Sequence, residues 1–276
     1  MKVTMFHAFR HALLPLLTFV FAWSPLFIAN ASGGAAMEGE LKLVWSADYG
    51  RGAQVYYSSC EKNGWTAPVQ LSQGPEAVFS PSVGSGDDGK IWVVWSKRGS
   101  GGSFLEYTYF NGSGWRHPEK ISTGLASNGV ASIMIDRENT PWIAWEGRSP
   151  EARFEDIYWS RWSAGAWVPP ARAHDENDVP DLRPALLNDA SGGVILSWKT
   201  FANGRYTHVY QVWDGKNWQV DDREERENVL RGTELLQEEL VAVQDMVQDP
   251  NQAALFINDG EGKRTVRVSQ IPRFSN

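Results

Sequence analysis

Cysteine is nearly absent from this chain. Cys60 is the only one in 276 residues, which excludes an internal disulfide framework and any Cys-based zinc cluster. It reads as a small residue packed in a strand. Histidine is scarce as well. His7 and His11 fall in the N-terminal leader, and His117, His174 and His208 show no HExxH-like spacing, so no metal site is expected from them. Positive charge is in deficit. The chain has 26 Lys and Arg against 33 Asp and Glu, and setting the first 31 residues aside removes Lys2 and Arg10 but no acid. That balance argues against nucleic acid and anionic membrane surfaces as partners. The one long apolar run, "ALLPLLTFVFAW", is interrupted by Pro15 and followed by the small residues Ala29–Ala31. It reads as a signal peptide over residues 1–31 with a short linker over 32–40, and no stable membrane insertion is expected once it is cleaved. No cysteine near the cleavage point signals lipid attachment. The protein is therefore expected to be exported, secreted or periplasmic.

Aromatic residues, by contrast, are abundant and periodic. Trp45, Trp95, Trp145 and Trp198 are separated by 50, 50 and 53 residues, and Trp65, Trp115, Trp167 and Trp218 by 50, 52 and 51. Tyr57, Tyr107, Tyr158 and Tyr210 form a third column, eight or nine residues ahead of the second. Pro81, Ala131 and Pro184 lie fourteen residues before the first-column Trp. A period near 50 marks a repeat protein built from propeller blades. Segments such as "IWVVW" and "PWIAW" are apolar on both faces and need cover on both, which stacked blades provide. The fold class expected is all-β, a β-propeller of four-stranded blades. Residues 41–276 form one domain with units near 41–73, 79–123, 128–173, 181–221 and 241–273. Five blades are expected, with the ring closed by strands shared between its two ends. The charged stretch "DDREERENVLRGTELLQEEL" is expected to be a solvated insertion carrying a short surface helix.

Each repeat divides into strands a to d. Short turns rich in Gly, Asn and Asp join a to b and c to d. Asp136, Asp189 and Asp249, each nine residues before a column position, are expected to cap those turns. The b–c and d–a connections are longer, lie together on the opposite face, and are the expected binding surface. Three residues beyond the first-column Trp come Asp48, Arg98, Arg148 and Phe201. The two arginines offer forked donors to an anionic or hydroxyl-rich ligand. Asp48, Arg98, Arg148, Glu146 and Asp181 are the candidate ligand-binding residues, and no catalytic residue is assigned. The acidic loop "HDENDVPD" is expected to be solvated, since its spacing fits no calcium loop.

At these columns, and at "SGDDGKIW" (Ser85–Trp92), the chain resembles secreted Trp-rich β-propeller repeat proteins of the sialidase-like superfamily, the BNR or Asp-box repeats. The segments "VYQVWDGKNW" and "LEYTYFNGSGW" also resemble blades of small propeller lectins. The first resemblance implies, for a catalytic member, an arginine triad, a Tyr–Glu pair and an acid Asp; the second implies sugar binding. The function expected is a non-catalytic propeller that binds a glycan or an extracellular or envelope protein and needs no cofactor. The alternative is a sialidase-like glycoside hydrolase.

Overall fold

β-Branched and aromatic residues alternating about each Trp column become strands that zip antiparallel through tight turns. In the computed structural model, the structure describes residues 40–50, 52–188, 192–221, 243, 246–258 and 263–270. The expected signal peptide, nearly all of the expected linker, the Asp189 turn and the whole of the charged stretch after Asp221 lie outside the described residues. The first unit forms β1 (Glu40–Asp48), β2 (Ala53–Glu61), β3 (Gly64–Trp65) and β4 (Val69–Gln70). The second forms β5 (Val78–Ser85), β6 (Ile91–Gly99), β7 (Gly102–Phe110) and β8 (Glu119–Ile121). The third contains β9 (Ser127–Ile135), β10 (Pro141–Arg148), β11 (Asp156–Ser163), β12 (Ala166–Trp167) and β13 (Ala171–Arg172). The fourth contains β14 (Asp181–Asn188), β15 (Val194–Ala202), β16 (Arg205–Trp213) and β17 (Trp218–Val220), and the chain ends in the hairpin β18 (Ala253–Asn258) and β19 (Lys263–Arg267). The fold is a β-propeller of antiparallel sheets.

The last expected unit shares its strands with the first. β18 and β19 pair as its b–c hairpin should, but β18 also zips onto β1, from Glu40 opposite Asn258 to Trp45 opposite Ala253. The described strands therefore make four sheets, the first ordered β19-β18-β1-β2-β3. The sequence offers no inner strand ahead of β1, so one edge of β1 would leave its backbone groups open, and β18 supplies their partners. In the expected inner strand of the fifth unit, "VQDMVQD", the described residues Val243 and Met246 lie in helical backbone. Val243 and Val247 instead pack on Leu43, Trp45 and Leu255, covering one face of the first sheet.

Packing between sheets explains the beat of the sequence. Trp45, Trp95, Trp145 and Trp198 are all buried at the centre of their sheets. The second column reaches back to the preceding sheet. Trp115 packs edge-on against Tyr57, Trp167 against Trp92 and Tyr107, and Trp218 against Trp142 and Trp159. Each such wedge buries one large ring between two sheets, a contribution on the order of 2–3 kcal/mol. At the axis, β19 lies along the innermost strands β5, β9 and β14. Thr265 donates to the Val83 carbonyl at 2.6 Å, and Arg267 donates to the carbonyls of Pro81 at 3.4 Å and Ala131 at 3.1 Å.

Candidate functional site

Two of the expected long b–c loops are in fact extended hairpins. β6 and β7 stay paired to Gly99 opposite Gly102, and β15 and β16 to Ala202 opposite Arg205. The second hairpin turns on Asn203 and Gly204, both at positive φ (52° and 76°), the conformation that an Asn-Gly pair favours. In the first, Gly102 has φ 137°, and a Cβ there would lie 2.1 Å from the Ala126 carbonyl oxygen, so the hairpin presses on the next connection. The matching positions after the Trp column are tied down alike. The N–H of Arg98 donates to Ala77 O, that of Phe201 to Pro180 O, and Arg148 O accepts from the N–H of Ala126.

This face carries the exposed aromatics. Among the described residues, the large hydrophobic side chains left open are Tyr49, Val69, Phe201, Tyr206 and Val220, and all three rings lie on b–c connections. Phe201 and Tyr206 are cross-strand partners in edge contact at 5.2 Å, and Tyr49 meets Tyr56 edge-on at 5.1 Å.

The five candidate residues fall at different depths. Asp48 ends β1 and binds its own loop, accepting from the N–H of Gly50 at 2.8 Å and of Gly52 at 3.0 Å. Arg98 is exposed on β6. Arg148 is half-exposed and lies 3.8 Å from the Glu155 carboxylate. Asp181 is fully buried at the start of β14, where its oxygens accept from Trp198 Nε1 at 3.0 Å and Asn177 Nδ2 at 2.8 Å. Glu146 sits between them on β10, accepting from the N–H of Arg183 at 2.8 Å and of Val130 at 3.3 Å. Glu146, Arg148 and Asp181 gather at the junction of the third and fourth sheets; Asp48 and Arg98 belong to the first and second.

The charge near the axis is organised around Glu146. Burial pushes its carboxyl above the usual carboxylate range, the two backbone N–H groups pull it back, Glu155 adds to the rise, and Arg267 opposes it. Burial in turn lowers Arg267 to about 10. Gly129 makes room for this arrangement, since a Cβ there would fall 2.6 Å from Glu146 Oε2.

The sequence reading missed Asp156. It begins β11, is nearly buried, and comes together with His174 and Asp181 so that one ligand atom from each lies within 4.8 Å of the others. These three residues are a donor set able to hold a cation. Sequence spacing hides the group, because it joins the start of a strand c, a d–a loop and the start of a strand a. The remaining acids of that loop, Asp175, Glu176 and Asp178, are exposed as expected.

No protein-family model and no curated protein matches the chain. Among solved structures, the endo-arabinase of Bacteroides thetaiotaomicron is similar at a TM-score of 0.48 and 13% identity, over 85% of this chain and 90% of that one. The Penicillium chrysogenum α-L-arabinanase, complexed with arabinobiose, is similar at 0.49 and 9%, over 80% and 72%. A PL25 ulvan lyase bound to a GlcA–Rha3S saccharide is similar at 0.49 and 12%, over 66% of this chain. The chain spans about half the length of that lyase, 52%.

Proposed function

We propose that the protein is an exported, non-catalytic propeller that binds a glycan on the face built by its b–c hairpins. The observation that carries this reading is the placement of the exposed rings. Tyr49, Phe201 and Tyr206 all open onto that face, while the repeat tryptophans are spent on the core. Sugar rings present C–H surfaces to aromatic faces and hydroxyls to fixed donors. Arg98 and Arg148, held at equivalent points of neighbouring sheets, supply the donors. Asp181 and Asp48, occupied within the fold, position the loops and do not touch the ligand. Export rests on the leader sequence.

A glycan array followed by calorimetry tests the proposal. Tyr206→Ala and Arg98→Ala with Arg148→Ala should each weaken binding of the selected glycan by about tenfold or more. An array without a ligand, or binding indifferent to these changes, overturns the reading; a protein captured through the same residues replaces the glycan as ligand.

A second reading, hydrolysis, has one observation in its favour. Glu146 is a carboxyl raised by burial with Glu155 close enough to add to the rise, and a raised carboxyl is what a general acid requires. Turnover of any glycoside that is lost in Glu146→Gln would establish it. A broad glycoside panel without turnover removes it.

A further inference from the structure

Asp156, His174 and Asp181 are each fixed from behind by another group. His174 Nδ1 lies 2.7 Å from the Asp175 carbonyl oxygen, which only accepts, so Nδ1 is the donor there and Nε2 is the ring atom left to bind an ion. The ring is stacked on Trp198 at 5.2 Å. Trp198 donates to Asp181 Oδ1 at 3.0 Å, Asn177 donates to Asp181 Oδ2 at 2.8 Å, and Arg172 Nη1 lies 3.4 Å from Asp156 Oδ2. Inside this frame, Nε2 is buried and makes no hydrogen bond, although Asp181 Oδ2 is 3.2 Å away.

Two carboxylates exposed by only 6% and 0% therefore converge on the buried imidazole Nε2. Buried charge of one sign needs a compensating cation, and Arg172 also serves Glu176 at 3.1 Å. Two ligands of one tetrahedral ion with bonds of about 2.0–2.1 Å stand about 3.3 Å apart, close to the His174–Asp181 separation. Outer partners that orient each ligand, as Asp175, Trp198, Asn177 and Arg172 do here, are the usual surroundings of a bound metal. The geometry points to a binding site for one divalent transition-metal ion, formed by Asp156, His174 and Asp181 where the third and fourth sheets meet. Mixed imidazole and carboxylate donors select Zn²⁺ or Mn²⁺ over Ca²⁺, which takes oxygen ligands. The ion would clamp the 173–180 connection to the starts of β11 and β14.

The test uses the full chain, stripped with a chelator and titrated separately with Zn²⁺, Mn²⁺ and Ca²⁺ by calorimetry, with thermal unfolding in parallel. About one Zn²⁺ or Mn²⁺ per chain is expected, with a rise in Tm. His174→Gln and Asp156→Asn should each weaken binding by about 100-fold or more. Circular dichroism checks each variant's fold, and if His174→Gln does not fold, Asp156→Asn carries the comparison. Absence of binding, unchanged affinity in a folded variant, or a response to Ca²⁺ alone overturns the site and leaves a hydrogen-bonded acid–imidazole cluster.

Discussion

Trp198 donates its indole N–H to Asp181 Oδ1 at 3.0 Å, both side chains being buried. Its counterpart in the second sheet, Trp95, donates to Glu106 Oε2 at 3.1 Å, whereas the indole N–H of Trp145 in the third sheet makes no hydrogen bond. The repeat thus conserves the ring and varies the acceptor. A hydrogen bond to a charged group contributes about 1.5–3 kcal/mol. Trp198→Phe should therefore destabilise the protein by about that much more than Trp145→Phe does, even though Trp145 is the more deeply buried. Urea unfolding of the two variants measures the difference. Equal losses would mean that ring packing alone sets the stability of the column.

Asp136 holds two kinds of partner at once. Its Oδ1 accepts from the N–H of Glu138 at 3.0 Å and of Thr140 at 2.8 Å, and its Oδ2 accepts from Trp142 Nε1 at 2.7 Å. Asp249, in the corresponding turn, accepts from the N–H of Asn251 at 2.9 Å and from its amide at 3.1 Å, on the exposed surface. Asp136→Ala strands a buried indole as well as uncapping a turn, so it should cost about 3 kcal/mol. Asp249→Ala should cost about 1 kcal/mol. Chemical denaturation ranks them, and the reverse order would detach Trp142 from the energetics of the turn.

Periodicity revealed the sheets because every repeat meets the same demand, two apolar faces covered by neighbours, and the Trp and Tyr columns are its direct trace. The turn role of Asp136 and Asp249 was equally legible, being local chemistry between residues two to four apart. What sequence could not place depends on distant pairing. The register of β18 on β1 joins Ala253 to Trp45, and nothing near either residue announces it. The b–c segments "KRGSGGS" and "TFANGRYT" read as loops from their Gly and polar content, yet cross-strand partners such as Phe201 and Tyr206 extend them into hairpins. Asp181 was chosen for its position on the long-loop face expected to bind a ligand. Its burial beside His174 and Asp156 follows from three segments that are contiguous only in the fold.

Closure of the first sheet through β18 makes a sharp prediction. β18 is paired on both edges, with Leu255 opposite Leu43 of β1 and Val266 of β19, so the N–H groups in this stretch serve one ladder or the other. Leu255→Pro removes one of them and disrupts a fully buried position, and should cost about 3 kcal/mol or more. Thr265→Val keeps the shape of β19 but deletes the 2.6 Å bond to Val83, and should cost about 1 kcal/mol. Thermal unfolding compares them. A small effect of Leu255→Pro would show that the C-terminal hairpin is dispensable for closure.

Lys42 ties stability to pH. Its side chain, 3% exposed on β1, meets the half-exposed Glu40 at its tip, yet burial and the charge of Lys263 push its ammonium down to about 8. In the unfolded chain the same group keeps its usual value of 10.5. Below pH 8 the folded protein carries a desolvated charge, and the cost is at its full, constant value. Between pH 8 and 10.5 the unfolded chain binds more protons than the folded one, so stability rises with pH across that window. Lys42→Met should stabilise the protein at pH 7 by about 2–3 kcal/mol and abolish the rise. Tyr57, raised by burial to about 12, acts in the opposite direction as pH climbs past 10. Urea midpoints at pH 7 and about pH 9.5, with the variant as reference, isolate the lysine. A wild-type midpoint that does not rise relative to Lys42→Met would show that Glu40 keeps this ammonium charged through the window.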